Sequence, residues 1–357
     1  MFRQLGIYSS VGQKYEPVDR EQVMYYREDK AGQILEEGIN EAGAMCSWIA
    51  AATSYSHSNL AMLPFYIFYS MFGMQRVGDL VWAAGDQRAR GFLLGATAGR
   101  TTLNGEGLQH EDGHSQVLAS VIPNCVSYDP TYGYELAVIV HDGMRRMLAE
   151  QQDVFYYITL MNEAYEHPAL PPKSEEGILK GLYLLRESKA KSKSRVQLMG
   201  SGTILREVLA AAELLEKDWG VAADVWSATS YTELRRDALA VQRWNMLHPL
   251  AEPRVAYVAG VLAAEPYPIV AATDYMKIVA DQIAPFTPAG LVALGTDGFG
   301  RSDERAALRR FFEVDGESIT VAALSTLASR RVIDRSQVDR AIRDFSIDPE
   351  KVDPAQT

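Results

Sequence analysis

Cysteine is scarce in this chain of 357 residues: only Cys46 and Cys125 occur, each in an apolar segment, with no CxxC pair and no metal-ligand spacing. That excludes a disulfide-stapled scaffold and predicts two buried, reduced thiols in a cytoplasmic protein. Basic clusters are equally scarce. With 35 Lys+Arg against 46 Asp+Glu the net charge is −11, which excludes the basic face that nucleic acid requires. The single local run, Lys189, Lys191, Lys193 and Arg195, is interleaved with serine and reads as a solvated loop. No apolar run is long enough to cross a bilayer; the longest, Leu60 to Met74, is broken by Pro64 and Ser70. The opening residues, Met1 to Leu5, lack the apolar core of a secretory signal. A Ser–His–Asp grouping and a nucleophile elbow are missing too.

What is present is the composition of a packed soluble protein, 47% hydrophobic and 10% aromatic. A chain of this length suits two domains of roughly 150–200 residues. A polar, proline-rich stretch from Glu163 to Glu176 separates two halves. In the first, strands are predicted over Gln33–Ile39, Phe65–Tyr69 (buried), Gly91–Gly95, Cys125–Tyr128 and Val154–Ile158, with a helix over Tyr134–Glu150. In the second, strands are predicted over Val196–Met199, Val225–Ser227, Ile269–Ala272 and Leu291–Leu294. Alternating strands and helices predict an α/β fold with two parallel or mixed sheets. Gly200-Ser201-Gly202 opens a helix after a strand, but without a third Rossmann glycine or a P-loop lysine a tight turn is the better reading than a phosphate site.

Chemistry concentrates in the first half. Glu41 follows a predicted strand and opens a helix that Asn40 is suited to cap, a place where open α/β sheets hold ligands. A helix N-terminus favours the ionised carboxylate and an apolar wall the neutral acid; those opposed pulls suit a proton relay, although an ordinary first-turn glutamate has the same local sequence. Tyr69 and Phe72 read locally as core aromatics. His110 and His114 lie in a loop rich in glycine and acid, with Glu106, Glu111 and Asp112. The glycines break any helix there, so no HExxH metal pattern forms. His57, His141, His167 and His248 belong to no constellation.

The run Gly38-Ile39-Asn40-Glu41-Ala42-Gly43 is followed by SWIAAATSYS (Ser47 to Ser56), PFYIFYSMFGMQRVGDLVWAAGDQRARGF (Pro64 to Phe92) and GRTTLNGEGLQHEDGHS (Gly99 to Ser115). With RWNMLHPL (Arg243 to Leu250) and LGTDGFGRSD (Leu294 to Asp303), these resemble the homodimeric bacterial pyruvate dehydrogenase E1 family, of transketolase-like fold, over nearly the whole chain. The resemblance implies a pyrimidine-binding domain over 1–165, a linker over 166–180 and a transketolase-like C-terminal domain over 181–357. It implies thiamine diphosphate as cofactor, with Glu41 on the pyrimidine nitrogen, Phe72 against the ring and Tyr69 near the reacting carbon. His110 would help bind pyruvate, Glu106 would order the site, and His114 would be structural. Mg²⁺ in this family is marked by Gly-Asp-Gly followed by Asn on a separate diphosphate-binding domain. That motif is not found: His141-Asp142-Gly143 and Thr296-Asp297-Gly298 lack the leading glycine. The chain is therefore expected to be a piece of a longer E1 or to work with a separate N-terminal piece, inactive alone. Its implied partners are a second copy or a complementary N-terminal E1 domain, and the lipoyl-bearing E2. The alternatives are a β-type subunit of a two-chain 2-oxoacid dehydrogenase or transketolase, and a non-catalytic dimerisation or regulatory module.

Overall fold

The computed structural model describes residues 2–18, 22, 26–264 and 266–357; Met1 and the side chains of Phe2 and Arg3, from the opening stretch, lie outside what is described. Among the described residues no helix is long and apolar enough to cross a membrane. Two short strands, β1 (Ile7–Tyr8) and β2 (Glu28–Asp29), pair in parallel ahead of the main body. The strand expected over Gln33–Ile39 does not form. Only Ile34 bridges, to Ile7, and Ile39 is 99% exposed. Glu36, Glu37 and Gly38 give that segment neither an apolar face nor strand propensity.

The first sheet contains β3 (Phe65–Phe68), β4 (Phe92–Ala96), β5 (Cys125–Tyr128) and β6 (Phe155–Leu160), all parallel, in the order β3-β4-β6-β5. Strands β5 and β6 are near-continuous apolar runs because helices cover the sheet on both faces. On one face the Glu41–Ala52 and Ser70–Asp86 helices bury Met45, Trp48, Met74, Val77 and Val81. On the other, Ile139 and Met147 pack against Phe92, Tyr128 and Tyr156. The helix expected over 134–150 is α-helical from Gly133 to Met144 and widens into one π turn, Arg145–Ala149. Strand β3 is not buried throughout as expected: it is an edge strand with Phe65 47% and Ile67 49% exposed. Cys125 is buried, whereas Cys46 is exposed, contrary to expectation. It follows buried Met45 on a helix whose other side faces solvent.

The second sheet is mixed, in the order β11-β10-β8-β9-β7. Strands β8 (Arg195–Gly200), β9 (Ala222–Ser227), β10 (Ile269–Ala272) and β11 (Leu291–Leu294) run parallel. Strand β7 (Tyr183–Arg186), not anticipated, lies antiparallel on the edge beside β9. The Ile204–Asp218 helix buries Leu205, Val208, Ala212 and Leu215 between Val196, Leu198 and Val225 of the sheet and Ile319, Ala323 and Leu327 of the Gly316–Ser329 helix. Each of the buried leucine, isoleucine and valine side chains contributes roughly 1.5–3 kcal/mol.

The carboxyl ends of strands from both sheets meet, and the meeting is polar. Asp129, directly after β5, accepts hydrogen bonds from Ser201 Oγ at 2.8 Å, beyond the end of β8, and from Thr159 Oγ1 at 2.7 Å. Asp274, beyond β10, accepts four, from the amides of Thr101 (2.8 Å) and Thr102 (3.1 Å) and from their hydroxyls (2.7 and 2.6 Å). Glu135 accepts from Thr131 N, Tyr132 N, Tyr183 OH and Ser227 Oγ at 2.6–3.0 Å. Burying carboxylates is tolerable only with such complete pairing. The Gly200-Ser201-Gly202 stretch is the tight turn expected of it. Gly202 sits at φ +50° with its amide on the Asp129 carbonyl at 3.2 Å, and a side chain there would press on the Asp129 carboxylate.

Candidate active site

Asn40 accepts a hydrogen bond from the Gly43 amide at 3.1 Å and so fixes the start of the helix on which Glu41 is the first residue. The Glu41 side chain is 18% exposed, and its Oε1 accepts a 2.8 Å bond from Arg76 Nη1. The same guanidinium lies 4.3 Å above the ring of Phe72. Phe72 meets His110 edge-on at 4.8 Å between ring centroids, and Tyr69 lies 5.3 Å from His110 and 6.1 Å from Phe72. Tyr69, Phe72 and Arg76 are three and four residues apart at the start of the Ser70–Asp86 helix, so they share one face.

His110 closes a single 3-10 turn, Leu108–His110, with its amide on Gly107 O at 2.8 Å. Its Nδ1 is buried and has no hydrogen-bond partner. The Glu106 carboxylate stands 3.7 Å from it, within ion-pair range but too long for a hydrogen bond. His114 Nε2 meets Gln75 Oε1 at 2.7 Å, and its amide donates to Asp112 Oδ1 at 3.0 Å. Glu111, the neighbour of His110, is fully buried, and that burial pushes its carboxyl up to about 7 even though its Oε2 accepts the Arg301 amide at 2.6 Å. Its Oε1 has no partner.

The structure thus gathers Tyr69, Phe72 and His110 into one aromatic cluster, places Glu106 at its edge, and joins Glu41 to it through Arg76. Arg76 was not singled out from the sequence. Its position four residues after Phe72 is the signal that marks it, since a cation one helical turn from an aromatic ring covers that ring. The arrangement presents an anchored carboxylate beside aromatic surfaces and a histidine with an unspent nitrogen, which suits a flat nitrogen heterocycle and a small polar reactant. Among the described residues no group of three or more His, Cys, Asp or Glu is placed to hold a metal ion. A cavity of about 440 Å³ lined by Trp82, Asp86, Arg88, Ile122, Asn124 and Asp153 shares no residue with the cluster.

Comparison with known proteins agrees with this organisation. Residues 1–168 match the family model of the pyruvate dehydrogenase E1 component middle domain, and residues 181–315 that of the transketolase-like C-terminal domain. The chain is 65% identical over 355 residues to the pyruvate dehydrogenase E1 component of Pseudomonas aeruginosa and 62% identical over 356 residues to that of Escherichia coli K12. In both cases the match takes in 99% of this chain and 40% of the relative, so the chain spans about 40% of the length of the curated relatives it matches. Among solved structures, a transketolase variant from Pichia stipitis superposes with a TM-score of 0.65 at 17% identity, over 86% of this chain and 40% of that one. A split-gene transketolase, described as an inactive beta4 tetramer, superposes with a TM-score of 0.58 at 14% identity, over 91% of this chain and 93% of that one. These two likenesses concern the fold. Two consecutive family models and an identity held along the whole sequence carry the assignment: the chain belongs to the pyruvate dehydrogenase E1 family, with its middle and transketolase-like C-terminal regions.

Proposed function

We propose that this chain supplies the pyrimidine-facing half of a thiamine-diphosphate site in a pyruvate dehydrogenase E1, with residues 1–165 as the pyrimidine-binding domain, 166–180 as linker and 181–357 as the C-terminal domain. The observation that carries the proposal is the convergence of Glu41, Phe72, Tyr69 and His110 at one surface. The residues fit the ring end of the cofactor. Glu41 offers a carboxylate oxygen to a ring nitrogen, and the aromatic side chains offer apolar edges worth roughly 0.5–1.5 kcal/mol each beyond burial. The diphosphate end stays unassigned on this chain, whose sequence contains no Gly-Asp-Gly. Mg²⁺ and the diphosphate would be held by a separate N-terminal domain, or by a second copy of a longer chain that carries one.

When bound, thiamine diphosphate supplies a nucleophilic carbon and an electron sink for decarboxylation. Glu41, steadied by Arg76, holds a proton at the pyrimidine ring nitrogen. Phe72 and Tyr69 keep water from that ring. His110 offers its imidazole toward the carboxylate or carbonyl oxygen of pyruvate, and Glu106, facing Nδ1, orients the ring. The acetyl group would pass to a lipoyl arm of E2.

The test is complementation. The purified chain alone, given thiamine diphosphate and Mg²⁺, should bind the cofactor weakly and release no CO₂ from pyruvate. Adding the N-terminal portion of a relative should restore decarboxylation, and Glu41→Gln should lower it by about 100-fold or more, a typical range for loss of a general acid–base group. Turnover by the chain alone, or an unimpaired Glu41→Gln, would refute the assignment.

A further inference from the structure

The loop Leu294–Asp303 belongs to the second half of the chain, which holds its near end by the Thr296 amide on Tyr275 O at 2.8 Å and Thr296 Oγ1 on Asp274 O at 2.9 Å, yet the first half grips it as well. From below, Arg100 of the first half donates from Nη1 to Thr296 O at 2.8 Å and to Gly298 O. The Arg301 amide reaches the buried Glu111 carboxylate at 2.6 Å, and the Gly105 amide donates to Asp303 O at 3.2 Å. Gly300 is pressed so close that a side chain on it would stand 2.6 Å from Leu108 O and 2.8 Å from Glu111 Oε2. Leu108 and Glu111 are the residues that bracket the His110 turn.

From above, the chain's last residues close on the same loop. The 3-10 turn Pro354–Gln356 follows Asp353, whose side chain accepts from Ala355 N at 2.9 Å, and Pro354 is buried. Gly298 sits at φ +99°, and any side chain on it would run into the Pro354 carbonyl. Arg301 Nη2 donates to Thr357 Oγ1 at 3.2 Å. Lys351 fastens the tail upstream, donating to the carbonyls of Arg310 and Phe311 at 3.4 and 2.5 Å and pairing with Glu313 at 3.1 Å.

We propose that the C-terminal tail, residues 353–357, is a positioning element for His110: it clamps the 294–303 loop from outside, and that loop in turn holds the His110 turn through Gly300 and Arg301. A tail some 240 residues away in sequence is two contacts away in space. The direction of action follows from the geometry, because the loop lies between tail and turn: Gly298 packs on the Pro354 carbonyl and Gly300 on the Leu108 carbonyl, close backbone approaches that leave little room to absorb a displacement, while the Arg301–Thr357 side-chain bond adds to the tail's hold. The functional half of this inference rests on the reading of His110 as a substrate-facing residue; the mechanical half does not.

Hydrogen exchange of the intact 357-residue chain, compared with a chain ending at residue 353 and with Gly298→Val, tests the mechanical half. Both changes should speed exchange of amides 105–111 by about tenfold or more, while amides of β5 and β6 stay within twofold. Pro354→Ala, which keeps the carbonyl, should keep the intact chain's protection. Unchanged exchange at 105–111 would overturn the proposal, and so would a uniform rise everywhere, which would make the tail a general part of the core. In the complemented enzyme the shortened chain should raise KM for pyruvate about tenfold with kcat within about threefold, and His110→Ala should raise it at least as much. A changed exchange pattern with an unchanged KM in His110→Ala would leave the clamp standing and refute the role of His110.

Discussion

Asp129 offers a sharp thermodynamic test, because it lies where the two sheets meet and burial pushes its carboxyl from 3.8 up to about 7, against the lowering pull of Thr159 and Ser201 and with Asp274 and Glu135 adding to the rise. An acid whose folded-state pKa is raised holds a proton the unfolded chain has lost. Its stabilising contribution is therefore complete below about pH 4 and disappears as pH climbs through 7. The span is about 3 pH units at roughly 1.4 kcal/mol each, or about 4 kcal/mol in total, of which about 3 kcal/mol falls between pH 5 and pH 8. Asn is a near-isostere of the protonated acid: its amide can donate where Oδ2 now meets Ser201 Oγ at 2.8 Å, and its carbonyl can accept from Thr159 Oγ1 at 2.7 Å. Asp129→Asn should therefore match the parent below about pH 4, exceed it by about 1 kcal/mol at pH 5 and by about 4 kcal/mol at pH 8, a gap that widens by about 3 kcal/mol over that range, or roughly 6–12 °C in a unit of 150–250 residues. Thermal melts of both proteins across pH 5–8 measure the difference directly. A gap that does not change with pH would refute the raised acid, and a gap that widens toward pH 5 would reverse its sign.

Other expectations follow from the same contacts. Asp224→Ala should cost about 3–5 kcal/mol by denaturant titration, because its carboxylate takes two bonds from Arg195 at 2.7 Å and one from Ser188 N at 2.8 Å in a buried setting; a loss below about 1 kcal/mol would contradict that burial. A maleimide should label Cys46 in the native chain and reach Cys125 only after unfolding, since burial pushes the Cys125 thiol up to about 12; two native-state labels by mass spectrometry would refute this. Gly181→Ala should lose more than about 1 kcal/mol in thermal melts, as the position combines φ +99° with a backbone that leaves no room for a side chain against Ser230 O.

Much of the fold was legible in the residues because the period of their apolar pattern survives folding. Strands β5, β10 and β11 fall on Cys125–Tyr128, Ile269–Ala272 and Leu291–Leu294, as their short apolar runs between turn residues predict. What failed did so for two reasons. The Gln33–Ile39 segment pairs only at Ile34, because Glu36, Glu37 and Gly38 give it no apolar face to bury, and β7 is held in place by β9, a contact that its own four residues do not encode. At the candidate site, Glu41, Phe72 and His110 were legible through the resemblance and not through local chemistry, since each also suits an ordinary role. Arg76 and the tail at Pro354 were missed because their significance lies in what touches them from 35 and from more than 50 residues away.

The closing of strand ends by strand ends has a consequence for the peptide that joins the two halves. Asp129, Glu135, Asp274 and Arg100 bind across the boundary without help from the connection, and Glu163 at its start is already fastened to Arg206 and Arg309 at 2.6 and 2.5 Å. The stretch from His167 to Lys173 is thus a leash and not a hinge: a protease that severs it would leave two polypeptides that still migrate as one body.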